Sequence, residues 1–451
     1  MARDVDDDED DDDEEYEDVE QVLFQGPMMG RETNLKENPR LVKAALVPVK
    51  KMISDGLARR AHTILLEPTQ GRVAIRFVVD GIPYPAGALP GQRGMAMIQM
   101  IKVLAGLNPQ ERNEAQSGGI NSEFDDTKYE LLTETSVLKP GVERLKISVQ
   151  NPKVSYVSPK TAGMPEELSE KLRSFTEDSK GIILACGAPE SGVTSLSLCA
   201  LHSVDPYLYS VYNMGDKSPY EMINVSEYEA EEGHDLETSF DRVLRREADV
   251  LYMNPLEDPA VVQTMFEFAD RACFVAEINV ATPVEAVQKL VEWVGMDMVA
   301  THVKGIISQK LIRQLCDDCK QAFRPNPKLL QRLGLPPETS VLYRAPSPPD
   351  EDDEDAPTIE ELCEDCDGVP FHGRAPVYEL LEMTEGMREV VSTNLTPEAI
   401  KEQMAKDEMR TMQKDALRLV VDGKTALEEV QRAFAPPGSR RRPKGRPRRR
   451  E

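Results

Sequence analysis

Along GRVAIRFVVDG, apolar residues fall at every second position: Val73, Ile75, Phe77 and Val79 alternate with polar or small neighbours. A strand with one buried face needs that period, because successive side chains point to opposite sides of a sheet. TILLEP before it predicts a second short strand. Asp80-Gly81 predicts a hairpin turn, since glycine tolerates positive φ. The period then changes. In MAMIQMIKVLAGL, Met97, Ile98, Ile101, Leu104 and Ala105 recur at helical spacing and predict one apolar face. The three methionines here read as core filler rather than as a sulfur ligand set. LVKAALVPVKKMISDGLARRA, residues 41–61, also has helical spacing, interrupted early by Pro48. KYELLTETSV and VERLKISVQ predict further strands. Together these describe an N-terminal α/β domain over residues 38–151.

Pro152 and Pro159 bracket a linker, and residues 152–180 read as that linker and a first helix. Over residues 181–315 the short apolar strands GIILAC, VLYMN and CFVAEI alternate with helical stretches. Short apolar strands between helices argue for a mainly parallel sheet. Residues 316–373 are rich in cysteine, proline and acid. Residues 374–435 read as helical, and no internal repeat is found.

A chain of 451 residues is long enough for two or three domains with cores of their own. Hydrophobic content of 40% and charged content of 30% suit a globular protein with polar tails. No apolar run reaches the length that spans a bilayer. The N-terminus is acidic, so no secretory signal is expected and a cytoplasmic location follows by default.

The net charge of -26 is unevenly placed. Fourteen of the first twenty residues are Asp or Glu, and PPDEDDEDAP, residues 348–357, holds six more. RRRPKGRPRRR, residues 440–450, is strongly basic. Like-charge runs repel themselves and have no apolar surface to bury. Residues 1–37, 345–357 and 436–451 are therefore expected to be disordered. For the acidic run a solubilising role is the preferred reading. The basic run suits nucleic acid, anionic lipid or a neighbour's acidic tail, and a solvated tail without a partner stands beside these. EQVLFQGPMM, residues 20–29, resembles a viral 3C-type protease cleavage sequence, as a cloning scar or by coincidence in a linker, and is set aside from the fold.

Of seven cysteines, Cys186, Cys199 and Cys273 sit in apolar surroundings and read as core. The other four form CDDC (Cys316, Cys319) and CEDC (Cys363, Cys366). Two CxxC pairs can present four thiolates to one tetrahedral zinc ion. The gap between them holds the acidic insert, which loops out at small entropic cost. Redox chemistry and disulfides are the alternatives. A cytoplasmic chain argues against stable disulfides, and two such units argue against a single redox site. A closed structural zinc site that staples a small module is preferred.

GIILACGAPESGVTSLSLCALHSV, residues 181–204, reads as a strand, a glycine-bearing turn and a helix. A phosphate loop has G-x-x-x-x-G-K-[ST] in that setting. Here Gly187, Ser191, Gly192, Thr194 and Ser195 fit a phosphate-holding turn, but Val193 stands where lysine belongs and Glu190 puts a carboxylate in the turn. Taken alone, the match is weak.

Other segments strengthen it. RAHTILLEP with VAIRFVVDG resembles the SDIHIEP strand and RxRxDG hairpin of the type II secretion and type IV pilus assembly ATPases, the GspE/PilB family. ISQKLIRQLCDDC resembles that family's LAQRLVRRLCPxC. LCEDCDGVPFHGRAPVYELLEMTEGMREVV resembles GCxxCxGTGYxGRxxIYELLxMTxxIRxLI, and MRTMQKDALRLVVDGKTALEEVQRAF resembles TLRxDGLxKVxxGxTSLEEVLRVT. The likeness runs from about Leu41 to Phe434. It implies an N-terminal α/β domain and a RecA-like P-loop domain, with a four-cysteine zinc module and C-terminal helices. It further implies hexameric rings, contacts to an inner-membrane platform or its adaptors, and a cytoplasmic site at the periphery of that membrane.

The same comparison locates losses. The family's loop lysine is Val193 and a loop glycine is Glu190. Of its acidic box only Asp216 is a plausible remnant. In the second Walker segment Pro255 replaces glutamate and Glu257 replaces arginine. Asn279 replaces the histidine of the histidine box, Gly119 an arginine of the N-terminal domain, and Leu65 the histidine of SDIHIEP. ATP hydrolysis rests on positioning and on charge stabilisation of the transferring phosphoryl group, so losses in every box argue against it. A hydrogen bond to a charged group is worth about 1.5–3 kcal/mol, and valine supplies none.

Gly187 and Gly192 are then read as kept for the turn, with ATP and magnesium doubtful as ligands, although the helix N-terminus could still hold an anion weakly. His302 and His372 read as surface or core residues without a partner pattern, and Trp293 as helix packing. The expected function is a pseudo-ATPase acting as scaffold or regulator, in a homo- or hetero-hexamer with an active paralogue as a candidate partner. A divergent active ATPase using Lys217, and an interaction module working through the charged tails, remain as alternatives. Nucleic acid is not the expected partner.

Overall fold

The structure is a computed structural model. It describes residues 21–435 except 29, 34, 154–157, 216–221, 232, 347–362, 364 and 367–368. The acidic and basic tails, most of the acidic insert, Asp216 and Lys217 lie outside the described residues. The described chain divides at about residue 153 into two units.

In the first unit seven strands form one antiparallel sheet. Their spatial order is Leu23–Pro27, Ser117–Phe124, Thr127–Lys139, Val142–Gln150, Thr63–Thr69, Arg72–Val79 and Ile82–Pro90. Helices Pro39–Ala58 and Gly91–Leu104 pack together, with the second also against the sheet, and the alternating Val73, Ile75, Phe77 and Val79 enter the shared core. The helical face Met97, Ile98, Ile101, Leu104 and Ala105 is buried there too. Pro48 lies inside the first helix without ending it. Asp80 and Gly81 both have positive φ, at 50° and 80°, as a tight hairpin turn requires. Gly94 is needed for close approach, since a Cβ there would fall 2.4 Å from Val73.

Order begins earlier than residue 38. Leu23–Pro27 pairs with Ser117–Phe124, and Val22 is fully buried. Within the segment set aside as a cleavage-like sequence, Leu23–Pro27 is thus an edge strand, anchored because Val22 enters the core and its N–H donates to Ser54 Oγ at 2.8 Å. Leu65 and Gly119 both sit on strands of this unit.

The second unit is a doubly covered α/β layer. Its main sheet runs Val225–Glu227, Val211–Asn213, Val250–Met253, Cys273–Ile278, Gly181–Cys186, Val303–Leu315 and Phe371–Glu382. All neighbours are parallel except the last pair. Strand residues point alternately to two cores. Ile182, Leu184 and Cys186 meet the cluster that includes helices Leu236–Leu244, Pro259–Glu267 and Pro283–Val294. Ile183 and Ala185 meet helices Glu166–Ser174 and Val193–His202. Cys186, Cys199 and Cys273 are buried in these layers, and burial pushes the Cys199 and Cys273 thiols up to about 12. The expected mainly parallel sheet is present.

Residues 374–435 are not all helical. Phe371–Glu382 is a strand on the antiparallel edge of the main sheet. Pro376 is accommodated because an edge strand has a side with no ladder to break. The remainder forms helices Glu385–Thr393, Pro397–Lys406, Met412–Val421 and Leu427–Phe434. Thr384, Thr396 and Thr411 start the first three by accepting the N–H of Met387, Ala399 and Lys414. Among the described residues, no helix is long and apolar enough to cross a membrane.

Candidate functional site

The loop Gly187–Gly192 leaves the central strand Gly181–Cys186 and enters helix Val193–His202. Gly192 adopts φ +83° just before the helix, and this helix has no side-chain cap. That geometry leaves the first backbone N–H groups open toward the loop, as an anion site requires. The side chains, however, fill the turn from inside. A Cβ on Gly187 would lie 2.2 Å from Ser191 Oγ and 2.9 Å from Val193 Cγ2. Glycine is therefore demanded by close packing of the loop on itself. Val193 is only 9% exposed and belongs to the helix-side core. Ser191 Oγ is buried without a hydrogen-bond partner. Thr194 and Ser195 are half-buried, and Glu190 is exposed with φ +66°.

Two residues outside the loop complete it. Gln309, on strand Val303–Leu315, donates its Nε2–H to Ser191 O at 2.8 Å and to Gly192 O at 3.1 Å. Glu277, on strand Cys273–Ile278, is 7% exposed. Its Oε2 accepts from Thr194 Oγ1 at 3.2 Å, and its Oε1 accepts from Ser197 Oγ at 2.5 Å and from Tyr252 OH. Burial and the neighbouring carboxylate push the Tyr252 phenol far up, so it remains a donor. Among the described residues no cation pairs with Glu277. The loop region thus carries carboxylates at Glu190 and Glu277 and no lysine at Val193.

The remaining sequence candidates separate. Pro255 and Glu257 are exposed beyond strand Val250–Met253, and Asp258 caps helix Pro259–Glu267 by accepting from Ala260 N–H at 2.9 Å. Asn279 is exposed just past the end of the Glu277 strand. His302 is half-buried, 3.7 Å from Asp270 and edge-on to Phe266. Trp293 packs against the core with Lys289 over its ring. Sequence reasoning missed Gln309, Glu277, Ser197 and Tyr252, because their role appears only once the sheet brings their strands to either side of Gly181–Cys186 and helix Val193–His202 packs on it.

Cys316, Cys319, Cys363 and Cys366 converge, with all four sulfurs within 4.8 Å of one another. Cys316 and Cys363 Sγ are 3.7 Å apart, as are Cys319 and Cys366 Sγ. Four sulfurs at about 2.3 Å from one ion in a tetrahedron lie about 3.8 Å apart, so the cluster has the size that zinc requires. Asp365 Oδ2 lies 3.1 Å from Cys316 Sγ and 3.0 Å from His372 Nδ1. His372 therefore has a partner that the sequence did not reveal. Burial and the Asp365 carboxylate push the Cys316 thiol up to about 12.

The Type II/IV secretion system protein family matches residues 41–432. The chain is 25% identical to the type IV pilus assembly ATPase PilB of Thermus thermophilus, over 85% of this chain and 42% of that protein. It is 24% identical to the type II secretion system protein E of Xanthomonas campestris, over 85% of this chain and 66% of that one. It therefore spans less than two thirds of these two relatives. Among solved structures, the ATPase DotB of Yersinia pseudotuberculosis superposes with a TM-score of 0.56 at 14% identity, covering 86% of this chain and 93% of that one. The Legionella pneumophila DotB gives 0.52 at 13% identity, covering 86% and 95%. At these identities the likeness establishes the RecA-like fold.

Proposed function

The chain belongs to the Type II/IV secretion system protein family, and on that premise we propose that it is a pseudo-ATPase, a secretion or pilus ATPase homologue that works without hydrolysing nucleotide. The observation that carries this is the interior of the loop. Val193, in the lysine position, is packed into the core over Gly187, and Gln309 holds the Ser191 and Gly192 carbonyls, so the turn is closed by the chain's own contacts. A working phosphate loop supplies a cation to the β/γ phosphates. This one supplies none and adds carboxylates at Glu190 and Glu277.

Its role is then that of a scaffold or regulatory subunit. By resemblance, its partners are further copies or an active paralogue in a hexameric ring, and platform or adaptor proteins at the cytoplasmic face of the inner membrane. Zinc is the fitting resident of Cys316, Cys319, Cys363 and Cys366. It supplies a cross-link between the end of strand Val303–Leu315 and the start of strand Phe371–Glu382, with no position left for a substrate.

Calorimetric titration of the full chain with ATP and magnesium, together with a phosphate-release assay, tests the reading. No saturable binding and no turnover above background are expected. Micromolar binding, or magnesium-dependent turnover that Thr194→Ala abolishes, would reject it.

A further inference from the structure

We propose that the Glu277 carboxylate is a resident anion that stands in for a bound phosphate beside the loop and makes the loop refuse nucleotide. The proposal rests on the nucleotide-free reading above and names the residue that enforces it.

Three hydroxyls converge on Glu277: Thr194 from the first turn of the loop helix, Ser197 one turn on, and Tyr252 from the neighbouring strand. An ionised carboxylate only accepts, so each of these hydroxyls is committed as a donor. In phosphate loops the Thr194-type hydroxyl faces the metal that bridges the phosphates. Here it is already engaged from within the chain. The carboxylate is 7% exposed and no cation among the described residues pairs with it, so its field toward the loop is weakly screened. Buried Ser191 Oγ, without a partner, faces into the same turn. A phosphate entering would meet a fixed negative charge at short range and no lysine to offset it. At protein-like dielectric, repulsion between such charges lowers affinity by about tenfold or more.

The same contact has a rival meaning, since an acid hydrogen-bonded to the loop hydroxyl helps to hold magnesium in working phosphate loops. The two roles differ in sign. If Glu277 excludes phosphate, neutralising it raises anion affinity. If it anchors a metal, neutralising it lowers nucleotide affinity.

The test is calorimetric titration of the full chain with pyrophosphate, with and without magnesium, for wild type, Glu277→Gln and Glu277→Thr. Gln keeps the side-chain shape and Thr is small, so misfolding of one variant leaves the other, and thermal melting verifies each. Wild type is expected to give no saturable heat. Both variants are expected to bind at least about tenfold more tightly than the wild-type limit, in magnesium-free buffer as well. Variants as silent as wild type would overturn the proposal while leaving the nucleotide-free reading intact, because Val193 alone would then account for it. Wild-type binding that needs magnesium and is lost in the variants would overturn both.

Discussion

Lys102 and Glu143 form an ion pair with neither side chain exposed, Lys102 on helix Gly91–Leu104 and Glu143 on strand Val142–Gln150. Lys102 Nζ lies 2.9 Å from both carboxylate oxygens and also donates to the Glu111 carbonyl. All three ammonium donors are thereby used. Attraction at 2.9 Å is about 6 kcal/mol at an effective dielectric near 20. Desolvation of the two ions, several kcal/mol each, offsets most of it. The pair as a whole therefore adds little stability, but half of it is costly. Glu143→Leu keeps the desolvation of the ammonium and forfeits its counter-charge, leaving one carbonyl as partner. A loss of about 3–5 kcal/mol is expected. Replacing both, as Lys102→Met with Glu143→Leu, is expected to be near neutral or stabilising by about 1–4 kcal/mol. Denaturant unfolding of the full chain, read through amide exchange of the first unit's strands, measures both. A single change costing less than about 1 kcal/mol, or a double change as harmful as the single, would refute the reasoning.

Two further outcomes follow from the second unit. Purified protein should carry about one zinc per chain, Cys363→Ser with Cys366→Ser should lower it, and full-length protein folded without metal would count against the site. Glu429 is buried, which alone would raise its carboxyl, but hydrogen bonds from Arg432 and Arg313 outweigh burial and hold it below the usual range. Because the folded value lies below the unfolded one, this contribution is complete above about pH 4.3 and is lost as pH falls through the folded value. Exchange protection of helix Leu427–Phe434 should fall over that acid range in wild type and be insensitive to it in Glu429→Gln. Identical acid profiles would contradict the assignment.

How much was legible depended on period. Val73 to Val79 and Met97 to Ala105 announced their elements because burial repeats along one segment, at two or at 3.6 residues. GIILAC, VLYMN and CFVAEI were legible as strands because both of their faces are buried. Ile82–Pro90, Ser117–Phe124 and Leu23–Pro27 were not, since glycine or proline interrupts the alternation in each, and only pairing with a neighbour makes them strands. Strand Phe371–Glu382 crosses the boundary expected at residue 374, and its part from Arg374 reads as helix because Pro376 and its acids hide an edge strand.

The sequence by itself determined what the loop lacks: Val193 in place of lysine is a covalent fact that no folding alters. It also determined the four thiols, because CxxC spacing fixes each pair locally. What fills the loop was decided only by tertiary structure. Glu277, Tyr252 and Gln309 are 80, 55 and 118 residues from their partners at Ser197, Ser197 and Ser191. Nothing local in the chain marks them, since parallel strands joined through helices bring together residues whose separation in sequence carries no periodic signal.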